Sequence, residues 1–91
     1  MDERVDRSQL GKGEYANHFE IGHDFVAFYL DCGQAGDMQQ ATTLYSRIIM
    51  SPVAAASLSK VLADALDEYV RRFGALYDES GRAIRKREGN E

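Results

Sequence analysis

The run Arg47-Ile48-Ile49-Met50-Ser51-Pro52 constrains the fold more than any other stretch of this chain. It passes from apolar, β-branched residues to a serine and a proline, the residue types that open a helix. A Ser hydroxyl accepts a hydrogen bond from an otherwise unpaired first-turn N–H, and Pro at the first helical position lacks only an N–H that would have had no partner. A strand followed at once by a helix is therefore expected here. Downstream, Leu58, Val61, Leu62, Ala65, Leu66, Tyr69 and Phe73 recur at spacings of three and four, the stripe of an amphipathic helix, and Gly74 is placed to end it. Asp67 with Arg71 and Glu68 with Arg72 stand four apart with the acid first, predicting two ion pairs on the solvent side. A helix of roughly 22 residues is ~33 Å long against ~23 Å for a seven-residue strand, so part of it should overhang a sheet.

Upstream, two further strands are predicted. From Glu14, the residues Tyr15, Asn17, Phe19 and Ile21 alternate with Glu14, Ala16, His18 and Glu20, a period of two. Gly22-His23-Asp24 then reads as a turn. Phe25 to Cys32 is nearly continuous apolar sequence, as expected of a central strand covered on both faces. Gly33 to Thr43 holds Gly33, Gly36, Asp37 and two glutamines without periodicity and reads as a mobile hairpin loop. Leu44 to Met50 is the third strand, with Leu44, Ile48 and Met50 on one face and Tyr45, Arg47 and Ile49 on the other.

Both ends are polar. Residues 1–13 close on Gly11-Lys12-Gly13 and predict a flexible arm; residues 78–91 alternate in charge and predict a solvated tail, with Arg82, Arg85, Lys86 and Arg87 as a weak basic cluster. That leaves one α+β domain over 14–77: a three-stranded antiparallel meander followed by one long helix packed on the sheet. In a chain of 91 residues only roughly 60–65% of the unfolded surface can be buried, so a partner surface is expected to add to the core.

Composition narrows the function classes. A formal net charge of -4 argues against a broad phosphate-binding surface, since such binding is driven by clustered Lys and Arg. The single cysteine, Cys32, forms no intrachain disulfide, which points to a reducing cytoplasm. No apolar run approaches the ~20 residues that span a bilayer, and the acidic start lacks the pattern of a signal peptide.

Tyr15-Ala16-Asn17, the Phe28-Tyr29-Leu30-Asp31 region, Arg47-Ile-Ile-Met-Ser-Pro, and Tyr69 with Phe73-Gly74 together make the chain resemble the bacterial and archaeal family known as domain of unknown function 3467. The resemblance covers about Glu14 to Leu76, with Arg-Ile-x-Met-Ser-Pro its most specific part. Ala27 and Tyr69-Val70 stand where the family more often has an acidic residue and a Tyr-Glu pair. The resemblance implies a fold and no chemistry.

The titratable residues give few routes to catalysis. His18, His23, Asp24 and Asp31 are the candidate metal ligands, but their spacing matches no closed site, and a small metal-dependent factor built on His18, His23 and Asp24 is the alternative reading rather than the leading one. Cys32 lies in acidic and apolar surroundings that do not favour a thiolate, and Ser51 is explained as a helix cap. Arg47 is the outstanding residue, because a cation in an apolar strand must reach solvent or be paired, and Asp31 on the neighbouring strand is its expected partner. The candidate interaction residues are Asp31, Tyr45 and Arg47 on the strands and Tyr69 and Phe73 on the helix. The leading expectation is a non-catalytic interaction or assembly module without cofactor, a cytoplasmic homodimer that also meets another protein. Weak nucleic-acid binding through the basic tail is the third reading.

Overall fold

Asp24 sets the first hairpin. Its Oδ1 accepts the N–H groups of Val26 and Ala27 at 2.8 and 2.9 Å, and its own N–H donates to the Ala27 carbonyl at 3.0 Å. An aspartate that ties down the next turn in this way overrides the strand propensity of Phe25 and Val26. Those two residues are therefore not strand, as their composition predicts, but an exposed turn, with Phe25 95% accessible. In this computed structural model, which describes residues 4–87, the first strand runs through Gly22 and His23 instead of stopping before them.

Six elements follow in order: β1 (His18–His23), β2 (Phe28–Gln34), β3 (Thr43–Met50), α1 (Pro52–Phe73), β4 (Leu76–Tyr77) and β5 (Ala83–Arg85). β1, β2 and β3 form one sheet in that order, with β2 central, and β4 pairs β5 separately. The fold is α+β, a three-stranded antiparallel sheet followed by one long helix. The chain divides into two compact units, the boundary falling between Ile49 and Met50.

In the first unit, β1 and β2 are antiparallel, with Phe19 opposite Cys32, Ile21 opposite Leu30 and His23 opposite Phe28. The link from β2 to β3 is ordered by the device already seen at Asp24. Asp37 Oδ1 accepts from the N–H groups of Gln39 and Gln40 at 2.8 and 2.9 Å, and Gly36 N–H donates to Thr42 Oγ1 at 3.1 Å. Asn17 Oδ1 accepts from Ala35 N–H, fastening the approach to β1 onto this link. Side-chain acceptors thus hold a stretch whose composition reads as mobile. Gly33 is required where β2 meets the start of β3: a Cβ there would fall on the Thr43 carbonyl and within 2.7 Å of the Leu44 Cα.

In the second unit, Ser51 caps α1, its Oγ accepting from Ala54 N–H at 3.1 Å, with Pro52 at the first position. Gly74 ends the helix at φ 101°, a left-handed conformation that a β-carbon disfavours, and its N–H reaches the Val70 carbonyl. Asp78 then organises a third turn, accepting from Ser80 and Arg82 N–H at 2.9 Å each. It brings β5 back against β4, so residues 83–85 form a strand where a solvated tail was expected. Arg85 lies against the helix, its Nη2 2.6 Å from Asp67 Oδ1 and 3.3 Å from the Ala63 carbonyl, and Arg87 Nε donates to the Val70 carbonyl. Val70 is the one large side chain fully buried among the described residues. The expected helix pairs are re-partnered: Asp67 holds Arg85 rather than Arg71, Arg71 pairs with Glu68, and Lys60 with Asp64.

Candidate interaction site

The sheet sorts its side chains into two unlike faces. Directly opposed residues of an antiparallel pair point to the same side, and neighbours along a strand point to opposite sides. Phe19, Ile21 and His23 therefore share a face with Cys32, Leu30 and Phe28. His18 and Glu20 share the other with Gly33, Tyr29 and Asp31. Arg47 joins this second face, because its Nε and Nη2 donate to the two Asp31 oxygens at 2.6 and 2.8 Å and its guanidinium lies 5.4 Å from the centre of the Tyr29 ring. Alternation along β3 then sends Tyr45 to the polar face, and Leu44, Ser46, Ile48 and Met50 to the apolar one. β2 is consequently apolar on one face only, which corrects the expectation of two.

On the polar face, Asp31 is 16% exposed beneath a guanidinium that is itself 60% exposed, so Arg47 covers the carboxylate. The hydrogen bonds from Arg47 hold the Asp31 carboxyl below its ordinary range. Asp24, lowered by its backbone donors, also accepts from the Tyr29 hydroxyl at 3.2 Å and so raises the tyrosine. His18 Nε2 lies 3.0 Å from Glu20 Oε2. These groups pair with one another: Asp31 with Arg47, Asp24 with Tyr29 and His18 with Glu20.

On the apolar face, Phe19, Ile21, Leu44 and Ile48 are exposed, Phe19 by 55% and Ile21 by 60%, while His23 stacks on Phe28 with ring centroids 5.0 Å apart. A groove of about 350 Å³ follows β3, lined by Asp31, Leu44, Tyr45, Ser46 and Arg47, and so takes residues from both faces.

The metal constellation is not assembled. His18 and His23 are an odd number of residues apart in one strand and point to opposite faces, so they share no ion. Among the described residues no cluster of three potential ligands forms. Cys32 faces Phe19, with His23 four residues further along β1, about 13 Å away and beyond reach as a base. Of the remaining candidates, Asp31, Tyr45 and Arg47 come together on the sheet. Tyr69 and Phe73 sit one helical turn apart on α1, ring centroids 5.0 Å apart, with Arg72 5.4 Å over the Phe73 ring. A separate groove of about 430 Å³ on the second unit is apolar, lined by Leu62, Ala65, Leu66, Tyr69 and Leu76. Of Asp24, Asp37 and Asp78, which organise turns, and Arg85, which anchors the last strand, sequence reasoning placed only Asp24 in its role. The Asp-x-x pattern signals the first three, whereas nothing local to Arg85 marks its partner 18 residues away.

Residues 3–78 match the family described as protein of unknown function (DUF3467). The chain belongs to the DUF3467 family. The match spans the three-stranded sheet and α1 and stops at Asp78, so β5 and the Arg85 anchor lie beyond it. No curated protein and no solved structure matches the chain. No helix among the described residues is long and apolar enough to cross a membrane.

Proposed function

We propose that this DUF3467 chain is a non-catalytic assembly module: a homodimer, built through its sheet, that offers an apolar face to a protein partner inside the cell. One observation carries the reading. A three-stranded sheet with an open β3 edge leaves Phe19, Ile21, Leu44 and Ile48 exposed on its apolar face, while its polar face carries the Asp31–Arg47 pair. Phe19, Ile21, Leu44 and Ile48, with the half-buried Phe28, Leu30 and Met50, present on the order of 500 Å² of apolar surface, at the upper end of what soluble monomers leave uncovered. Two copies side by side double it to about 1,000 Å², the lower bound for a specific interface. The free, half-buried Cys32 suits a reducing compartment.

Two competing readings find less support. The metal-dependent reading needs His18 and His23 on one ion. The nucleic-acid reading needs free cations beyond residue 81, whereas Arg85 is committed to Asp67 and Arg87 donates to the Val70 carbonyl.

Light scattering across a dilution series tests the proposal. A mass of twice the chain, falling only at high dilution, is the expected result. A single-chain mass at tens of micromolar and above overturns it.

A further inference from the structure

Resting on that self-assembly, we propose that two copies join antiparallel along β3 with Ser46 on the two-fold axis, making one six-stranded sheet. β3 is the longer edge strand, eight residues without proline or glycine, and rich in the β-branched and aromatic residues that favour strands. β1 is shorter and contains Gly22, and of the two registers that pair most of it, the one centred on Glu20 sets that carboxylate against its own copy.

The register follows from parity and charge. In an antiparallel pair, opposed residues share a face, so the axis must pass through a residue and not between two. Only the registers centred on Ser46 and on Arg47 pair seven of the eight residues. Centring on Arg47 sets the two arginines opposite each other, which opposes like charges. Centring on Ser46 sets Leu44 opposite Ile48 of the second copy on the apolar face, and Tyr45 opposite Arg47 of the second copy on the polar face. Asp31 draws each guanidinium toward β2, so the arginine's aliphatic stem is what the incoming tyrosine meets. Leu44, Tyr45, Ser46 and Arg47, which with Asp31 line the groove along β3, all lie within the paired segment. Leu44, Tyr45, Ile48 and Ile49 are all exposed in the single chain, and all lie within the paired segment.

Cysteine cross-linking tests the register. In a Cys32→Ala background, Ser46→Cys places two thiols on the axis with Cα atoms about 4.5–5.5 Å apart, within disulfide range, whereas Ile48→Cys separates them by about 14 Å along the strands. With oxidised glutathione as the oxidant, Ser46→Cys is expected to give a covalent dimer and Ile48→Cys none, with both variants folded by circular dichroism. Leu44→Lys, facing Ile48 of the second copy twice in the assembly, is expected to weaken the dimer roughly tenfold. A dimer by light scattering that cross-links at 48 and not at 46, or at neither, or that ignores Leu44→Lys, overturns the seam and leaves self-assembly standing. A monomer overturns both.

Discussion

The Arg47 guanidinium grips the Asp31 carboxylate through two bonds, Nε to Oδ1 at 2.6 Å and Nη2 to Oδ2 at 2.8 Å, across the strands β2 and β3. Bidentate pairing fixes both position and orientation, so it defines which residues of β3 lie on the polar face. A double-mutant cycle with Asp31→Asn and Arg47→Met is expected to show coupling: each single change lowers the unfolding midpoint, and the double change costs less than their sum. Additive effects would mean that the pair contributes nothing beyond its separate residues.

Acid weakens the molecule at identifiable points. The carboxyls of Asp24, Asp37 and Asp78 are lowered first by the hydrogen bonds they accept in their turns, and that of Asp31 by Arg47. A carboxyl whose folded pKa lies below its unfolded value stabilises the fold above the unfolded value, near 3.8, and loses that contribution as pH falls through the folded one. Stability measured by urea unfolding should therefore hold from neutrality to about pH 5 and decline below pH 4. Asp37→Asn keeps the Oδ1 acceptor but removes the titration, so it should flatten that decline; an unchanged slope would take Asp37 out of the account.

Gly33→Ala is expected to destabilise the first unit by about 1–3 kcal/mol, because the added methyl meets the backbone of Thr43 and Leu44, which cannot rotate away as a side chain would. Thermal unfolding checks this, and Gly22→Ala serves as the control, since its Cβ meets only the Tyr29 ring edge at an ordinary 4.0 Å. Equal effects at the two positions would contradict the close approach.

The helix ends carry separable contributions. Ser51→Ala removes the Oγ acceptor of Ala54 N–H and should cost about 1 kcal/mol, with Ser51→Asp restoring most of it. Gly74→Ala forces a β-carbon into φ 101° and should cost about 1 kcal/mol or more. Denaturant midpoints at constant slope would confirm both.

Val70→Ala should cost about 2 kcal/mol, since Val70 is the buried centre of the second unit. Arg85→Met should release β5 from Asp67 and speed amide exchange at Ala83–Arg85. Exchange unchanged in that variant would show that β4 pairing alone holds the strand.

Sequence alone determined the elements whose signals are local. The strand-to-helix step at Met50-Ser51-Pro52 is legible because capping and proline preferences act within one turn, and the Phe73-Gly74 stop because a left-handed cap selects glycine. The faces of β3 follow from a period of two. The Arg47–Asp31 pair was also within reach, since a lone cation in an apolar strand demands a neighbour. Tertiary structure decided what depends on contacts distant in sequence or on competition between local preferences. Phe25 and Val26 read as strand until Asp24 claims their N–H groups for a turn. β2 reads as apolar on both faces until its register sets Tyr29 and Asp31 opposite Gly22 and Glu20. The basic tail reads as solvated until Arg85 reaches Asp67, and no local pattern encodes that reach, because the energy of an ion pair depends on where the partner lies in space and not on how far away it is in sequence.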